Sequence, residues 1–391
     1  MLEGAQPMGQ ISTSGPTPSM RSLLLTRRVL VCAGCGGVGK TSVAASLGLA
    51  GAQLGRRVVA LTVDPAKRLA ESLGADPAVH ERQFVSRERL SALGVPAEGD
   101  LSVLLLDPEH TLGELVARLS PDPRAAVRIT QHPLFRYFSS YLAGANEYMA
   151  MEKLLLVLDD PECDLVILDT PPTRHALDFL NAPARLTDAL DGPIIRAMGK
   201  MVSGTGRFSL DLAARGAATL LRGFGKVTGA GTLEQVATLI AELNVIFGGF
   251  RERAKRVAAV FLDPSFAYVI VVRPEAGAVD DGLFFLGALA DRNMAVSAIV
   301  ANRVNQVLDQ ELLSEGLSQL RTAVSDEQFV CLERAVQEHG AREESEVAQL
   351  ARLRAATYAQ GLTPIELPAL PLGVKNLEAL SELSAVFVET A

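Results

Sequence analysis

The sequence predicts an α/β fold: a doubly wound, mostly parallel sheet with an apolar helical subdomain inserted into it. Three observations carry that expectation. Short apolar runs of strand length alternate along the chain with longer runs of helical spacing. Several of the strand runs, Arg56 to Val63 and Asp164 to Asp169 among them, carry apolar residues on both faces, as parallel strands covered on both sides do. A glycine-rich turn joins the first strand to the first long helix, the place where open parallel sheets bind ligands.

The elements follow in order. Met1 to Ser22 is rich in Gly, Pro, Ser and Thr and lacks an apolar stretch. It reads as a disordered arm and not as a secretory signal. Val29 to Ala33 is a buried strand, and a helix begins near Lys40 and runs to Leu54, where Gly55 ends it. Arg56 to Val63 is the second strand, closed by Asp64-Pro65. Strand, helix and strand make one right-handed crossover unit. Pro65 to Gly74 reads as a loop entering a helix, and Leu101 to Leu106 as a strand. Helical spacing returns over Thr111 to Leu119, Pro123 to Thr130 and Glu147 to Leu158, with an aromatic stretch from Gln131 to Gly144.

Asp164 to Asp169 is the third buried strand, followed by Thr170-Pro-Pro-Thr173. From Pro183 to Arg253 charge is sparse and glycine frequent, and two apolar stripes fall at helical spacing, Leu186 to Met201 and Leu233 to Phe247. The sheet resumes with Ala267 to Val272, a helix from Gly277 to Arg292 and a strand from Met294 to Ala301. Gln310 to Gly340 is polar and helical, Thr363 to Leu367 is a last strand, and Asn376 to Val388 a closing helix. The expected layout is an arm over 1–22, a core over 23–182 and 256–391, and an inserted helical subdomain over 183–255.

Bulk composition narrows the function. The chain has 391 residues, of which 48% are hydrophobic, enough for one large α/β domain or two ordinary ones. A formal net charge of −8 points away from nucleic acid and anionic membranes. No apolar run approaches the roughly 18 residues of a transmembrane helix. The four cysteines form no disulfide framework, so a reducing cytoplasm is the expected setting.

The chemistry concentrates at Gly34, Cys35, Gly36, Gly37, Val38, Gly39, Lys40, Thr41 and Ser42. This is the G-x-x-x-x-G-K-[ST] phosphate loop. Its glycines let backbone N–H groups close around a polyphosphate, and the helix start adds partial positive charge. Lys40 reaches the β- and γ-phosphates, and the Thr41 hydroxyl is placed for Mg²⁺. Asp64, at the end of the next strand, could orient the attacking water or hold Mg²⁺ through water; Asp-Pro also ends strands on its own account. Asp169 ends a run of four apolar residues, the pattern of the second acidic residue of such ATPases, whose task is Mg²⁺. The loop after it could sense the γ-phosphate. His175 lies there, with a structural or switch role favoured over a catalytic one. Cys32 and Cys35 are spaced C-x-x-C without a second pair; Cys32 should face the core, and Cys35, at a helix start, should have a lowered pKa.

These residues resemble a known family. Gly34 to Thr41, Asp64-Pro-Ala66, Asp169 to Thr173, Asn302-Arg-Val304 and Leu367 to Pro371 occur in the order found in the arsenite-pump and guided-entry (tail-anchored protein targeting) ATPases, of the signal-recognition and partition class. Glu147 to Lys153 and His175 to Pro183 resemble the bacterial, actinobacterial-type branch. The resemblance runs from Val29 to Val388. It implies ATP and Mg²⁺ as cofactors, phosphates wrapped by Gly36 to Ser42, Asp64 positioning water, Asp169 near Mg²⁺, Asn302 reading adenine and Pro368 lying close to the base. It also implies a nucleotide-gated dimer, with the apolar helices holding a hydrophobic protein segment.

Two departures qualify it. The family's loop usually carries a lysine at its second position, reaching the partner's phosphates; here that position is Cys35. The alternative expectation is therefore a catalytically weak nucleotide-binding scaffold, one half of a heterodimer with a paralogous ATPase, in place of a homodimer. None of the four cysteines lies where the family's soft-metal site or dimer-bridging zinc would sit, so neither arsenite efflux nor a zinc-clasped dimer is expected.

Overall fold

The computed structural model describes residues 18–63, 68–120, 122–131, 145–171, 173–191, 246, 248–294, 296–306, 309–371, 373–374 and 376–389. Its first helix, α1 (Met20–Thr26), is capped by Ser19, whose side chain accepts from the Ser22 amide. Met20, Leu23 and Leu24 are buried. The core therefore begins inside the stretch expected as an arm: residues 20–22 belong to this helix, and residues 1–17 lie outside the described residues. The reason is the apolar face that Met20 shares with Leu23 and Leu24, which the surrounding Gly, Pro and Ser obscure in the composition.

Strand β1 (Val29–Ala33) is buried at every position. Helix α2 (Lys40–Gln53) follows, then β2 (Arg57–Thr62), α3 (Arg68–Leu73), the short β3 (Gln83–Phe84), α4 (Arg87–Ala92) and β4 (Asp100–Leu105). Helix α5 (Pro108–Leu119) starts with Asp107 accepting from the His110 amide at 3.0 Å and Pro108 in the first turn, where a missing N–H costs nothing. Then come α6 (Pro123–Gln131), α7 (Ala145–Leu158), β5 (Leu165–Asp169) and α8 (Thr173–Leu190). After a helix over 248–260 the chain forms β6 (Phe266–Val272), α9 (Ala276–Ala290), β7 (Val296–Val304), α10 (Gln310–Ala323), α11 (Asp326–Tyr358), β8 (Ile365–Pro368) and α12 (Leu377–Glu389).

The strands form one eight-stranded sheet in the order β3-β4-β2-β5-β1-β6-β7-β8. All neighbours are parallel except the edge pair β3–β4. Successive residues of a strand point to opposite faces. Val29, Val31, Val166 and Leu168 accordingly join one core, and Leu30, Cys32, Leu165 and Ile167 join the other. This is the doubly wound sheet that the sequence predicts. Close helix–sheet packing depends on Gly51 of α2, where a Cβ would press on Leu165 and Val58.

Both expected borders of the inserted subdomain fall inside helices. α8 runs through Pro183, and the helix over 248–260 runs past residue 255. Residues 192–245, with most of the two apolar stripes, lie outside the described residues. The two flanking helices are joined by Arg251 and Asp191 at 3.1 Å. The second is also anchored to α7. Arg253 bonds the fully buried Glu152 at 2.6 Å, Glu152 accepts from the Tyr148 hydroxyl, and the Tyr148 ring stands 6.2 Å from that of Phe250. Removing one member of a buried ion pair leaves the other charge uncompensated, so this contact fixes where the helix meets the core. Among the described residues, no helix is long and apolar enough to cross a membrane.

Candidate functional site

The site is built at the carboxyl ends of β1, β2 and β5. Gly34 follows β1 so closely against β6 that a Cβ there would collide with the Val271 carbonyl. Only glycine permits that approach. Gly37 and Gly39 adopt φ of 81° and 91°, the left-handed region. Gly36 and Gly37 are exposed, with open space where a Cβ would be. Gly39 caps α2 without a side-chain bond, so the first amides of the helix are left to a ligand. Val38 is buried and pins the loop from below. Lys40 is 8% exposed, and its Nζ donates to the Cys35 carbonyl at 2.9 Å. Thr41 and Ser42 are half-buried in the first turn.

Asp169, the last residue of β5, is completely buried. Its Oδ2 accepts from the Thr41 hydroxyl at 2.8 Å and from the Thr62 hydroxyl at 3.3 Å. The strand order explains the meeting: β5 lies between β1 and β2, with Asp169 level with Cys32 on one side and Thr62 on the other. Thr170 closes the arrangement, its hydroxyl donating to the Cys32 carbonyl at 2.7 Å. A hydroxyl and a carboxylate are hard oxygen donors, the set that suits Mg²⁺. Thr41 and Asp169 thus fit the metal expected of them. Asp64, the other expected metal and water residue, lies outside the described residues.

Asn302 of β7 borders the loop, and Pro368 ends the neighbouring β8. Asn302 is 3% exposed, and its Nδ2 donates to the Val38 carbonyl at 2.8 Å. A Cβ on Gly39 would strike this amide. Val304 pairs with Pro368, and the Ala369 amide donates to the Val304 carbonyl at 2.9 Å. The strand therefore runs past the Ala301 limit expected for it, because β8 supplies a partner as far as Val304. Arg303, between the two, has a φ of 60°, unusual for a residue with a side chain.

The sequence profile of the anion-transporting ATPases, the ArsA ATPase family, matches residues 27–330. The chain belongs to this family. It is similar to the ATPase GET3 of Malassezia globosa, 26% identical over 209 residues that make 51% of this chain and 58% of that one. It is also similar to the ATPase get3 of Aspergillus terreus, 29% identical over 178 residues, 44% of this chain and 48% of the relative. The ATPase get3 of Schizosaccharomyces pombe is 29% identical over 181 residues, 43% and 50% of the two chains. The chain thus spans about half the length of these relatives.

Cys35 stands at the second position of the loop. Its thiol is half-buried, and its pKa is raised. Burial is the main cause; Asp281 and Glu275, from the start of α9, add to it, while Lys40 opposes them. The lowered pKa expected from the helix start is therefore corrected: desolvation and two acids outweigh it. Cys35 stays a neutral thiol at neutral pH. Cys32 is fully buried and its pKa is also raised, by burial first. His175 lies on α8 where side chains are outside the described residues.

Sequence reasoning missed Thr62, Thr170 and the bond from Asn302 to the loop. The one available signal for Thr62 was its place two residues before Asp64 on an otherwise apolar strand.

Proposed function

We propose that the chain is a Mg²⁺-dependent ATPase that works as a nucleotide-gated dimer and handles a hydrophobic protein segment in the cytoplasm. One observation carries the catalytic half. In a member of an ATPase family, the hydroxyl after the loop lysine stands 2.8 Å from a buried carboxylate at the end of the neighbouring strand. ATP enters at the open apex of Gly36 and Gly37, and Lys40 exchanges the Cys35 carbonyl for the β- and γ-phosphates. Thr41 and Asp169 hold Mg²⁺, which when bound offsets charge on the phosphate oxygens. Asp64 orients a water against the γ-phosphorus. The bond from water oxygen to phosphorus forms as the bond to the ADP oxygen breaks, and the water proton leaves with the phosphate. Asn302 and Pro368 border the base.

The client half rests on the family resemblance and on the apolar, charge-poor composition of 183–255. The bacterial-branch placement rests on the sequence resemblance of Glu147 to Lys153 and His175 to Pro183.

A second reading is favoured by Cys35 alone. An uncharged thiol cannot supply the stabilisation that a cation reaching across a dimer gives. On that reading the chain turns over slowly by itself and serves as one half of a heterodimer with a paralogous ATPase.

The experiment is phosphate release and ATP binding by the purified chain beside Lys40→Ala and Cys35→Ala. Lys40→Ala is expected to lower ATP affinity on the order of 100-fold. An unaltered affinity in that variant would sink the nucleotide reading. Brisk hydrolysis by the chain alone, unchanged in Cys35→Ala, would remove the heterodimer reading and leave the first.

A further inference from the structure

We infer that Thr62 is a positioning residue for the metal-holding carboxylate, clamping Asp169 and tying it to the strand end that leads into Asp64. The inference rests on the nucleotide reading above and adds to it a residue that neither the phosphate-loop motif nor the family resemblance supplies.

Thr62 is the last residue of β2 and is 2% exposed. The four residues before it, Val58, Val59, Ala60 and Leu61, are apolar and completely buried. The strand changes character at the single position level with Asp169. Burying a hydroxyl in such surroundings is unfavourable unless it is bonded. Valine has the same shape, so packing alone gives no reason for the oxygen. That oxygen lies 3.3 Å from Asp169 Oδ2, the atom that also accepts from Thr41 at 2.8 Å.

Two donors on one carboxylate oxygen do more than one. The terminal torsion of an aspartate is broad and nearly two-fold, so each added donor narrows the range over which the carboxylate can rock about that bond. Thr62 ends β2, a neighbour of β5 in the sheet, and Thr41 lies in the first turn of α2, the helix that follows β1. A threonine is stiff at χ1, so its hydroxyl is itself held. The main chain repeats the connection, since the Val63 amide donates to the Asp169 carbonyl at 3.2 Å. Residues 62 and 63 thus bond both the side chain and the backbone of Asp169, and Asp64 is the next residue. Thr62 and Val63 thus join Asp169 to the end of β2. Outer partners of this kind tune a metal site by holding its ligands in place.

The test uses the full chain and the fluorescent nucleotide mant-ATP, titrated with Mg²⁺ and separately bound in EDTA. Thr62→Val, which removes the donor and keeps the shape, is expected to raise the Mg²⁺ midpoint roughly tenfold. Its affinity for mant-ATP in EDTA stays at the wild-type value, because the loop is untouched. Thr62→Ser keeps the hydroxyl and returns the midpoint to within about twofold of wild type. Thr62→Ala carries the same expectation as Thr62→Val and serves if valine disturbs folding. A wild-type midpoint in Thr62→Val or Thr62→Ala, with nucleotide still bound, overturns this inference and leaves the nucleotide reading standing. A wild-type chain that binds no mant-ATP overturns both.

Discussion

The two ends of the sheet differ in the bonds their charged groups make. At the amino ends, charged groups meet charged groups or rows of carbonyls. Arg57 binds Asp164 through two donors, Nε at 3.0 Å and Nη2 at 2.8 Å, and reaches Glu162 at 3.0 Å. Arg82 pairs with Asp160 at 2.8 Å, Arg56 bonds the carbonyls of Leu24 and Asp164, and Arg28 that of Leu158. At the carboxyl ends Lys40 is given a carbonyl, and Asp169 two hydroxyls. Charge-assisted bidentate pairs are the strong bonds of proteins, and bonds to neutral partners are weaker. The first end is made to stay closed. The second carries the open apex of Gly36 and Gly37, where the proposed nucleotide enters.

Matched glycine substitutions give the largest expected separation of the two ends. Gly34→Ala drives a methyl group into the Val271 carbonyl, a backbone atom that moves only with β6. A stability loss of about 3 kcal/mol is expected, with ATP binding lost alongside it. Gly55→Ala, at the far end of α2, meets nothing within 4 Å but must take a φ of 81°. It should cost about 1 kcal/mol and leave ATP affinity unchanged. Denaturant midpoints and ATP titrations check both. Equal effects of the two substitutions on nucleotide binding would show that the loop end has no special geometry.

Asn302→Ala is expected to have a middling effect. It leaves the Val38 carbonyl without its buried donor, which costs on the order of 1–3 kcal/mol. The variant also separates two roles of the residue. A pure brace weakens ATP and GTP alike, whereas a residue that also reads adenine loses preference between them. Competition of ATP against GTP in wild type and variant is the measurement.

What the sequence could disclose follows from how far each fact reaches along the chain. The buried strands were legible because each announces itself by local apolar content. The loop was legible because Gly34, Gly39, Lys40 and Thr41 stand at fixed spacing. Thr62 was not, because its bond exists only if β5 is threaded between β1 and β2, a matter of strand order. Cys35 misled for a similar reason. The helix start beside it is local, but Asp281 and Glu275 arrive with α9, from the far side of the inserted segment. Asn302 was seen as a strand end, since nothing nearby in sequence tells that β8 extends its pairing to Val304.

The smallest expected effect belongs to the closed end, and its pH dependence is its signature. Arg57 bonding holds the Asp164 carboxyl down at about 2, against the opposing pull of burial. A group whose folded pKa lies below its unfolded value of about 4 stabilises the fold above that value and loses the effect as pH falls through the folded one. Asp164→Asn removes the charge and keeps the shape. Because both partners are about one-third exposed (33% and 31%), the difference from wild type at pH 7 should be only about 1 kcal/mol. That difference should shrink as pH drops from about 4 through about 2, below which the wild-type carboxyl is itself neutral. Melting temperatures of the two proteins along that series read it directly, and a gap that stays constant would refute the pairing as its source. ATP affinity at pH 7 should be the same in both proteins. If Asp164→Asn weakened nucleotide binding, the amino ends would have to be passing strain along β5 to Asp169, and the two ends of the sheet could no longer be treated as independent structures.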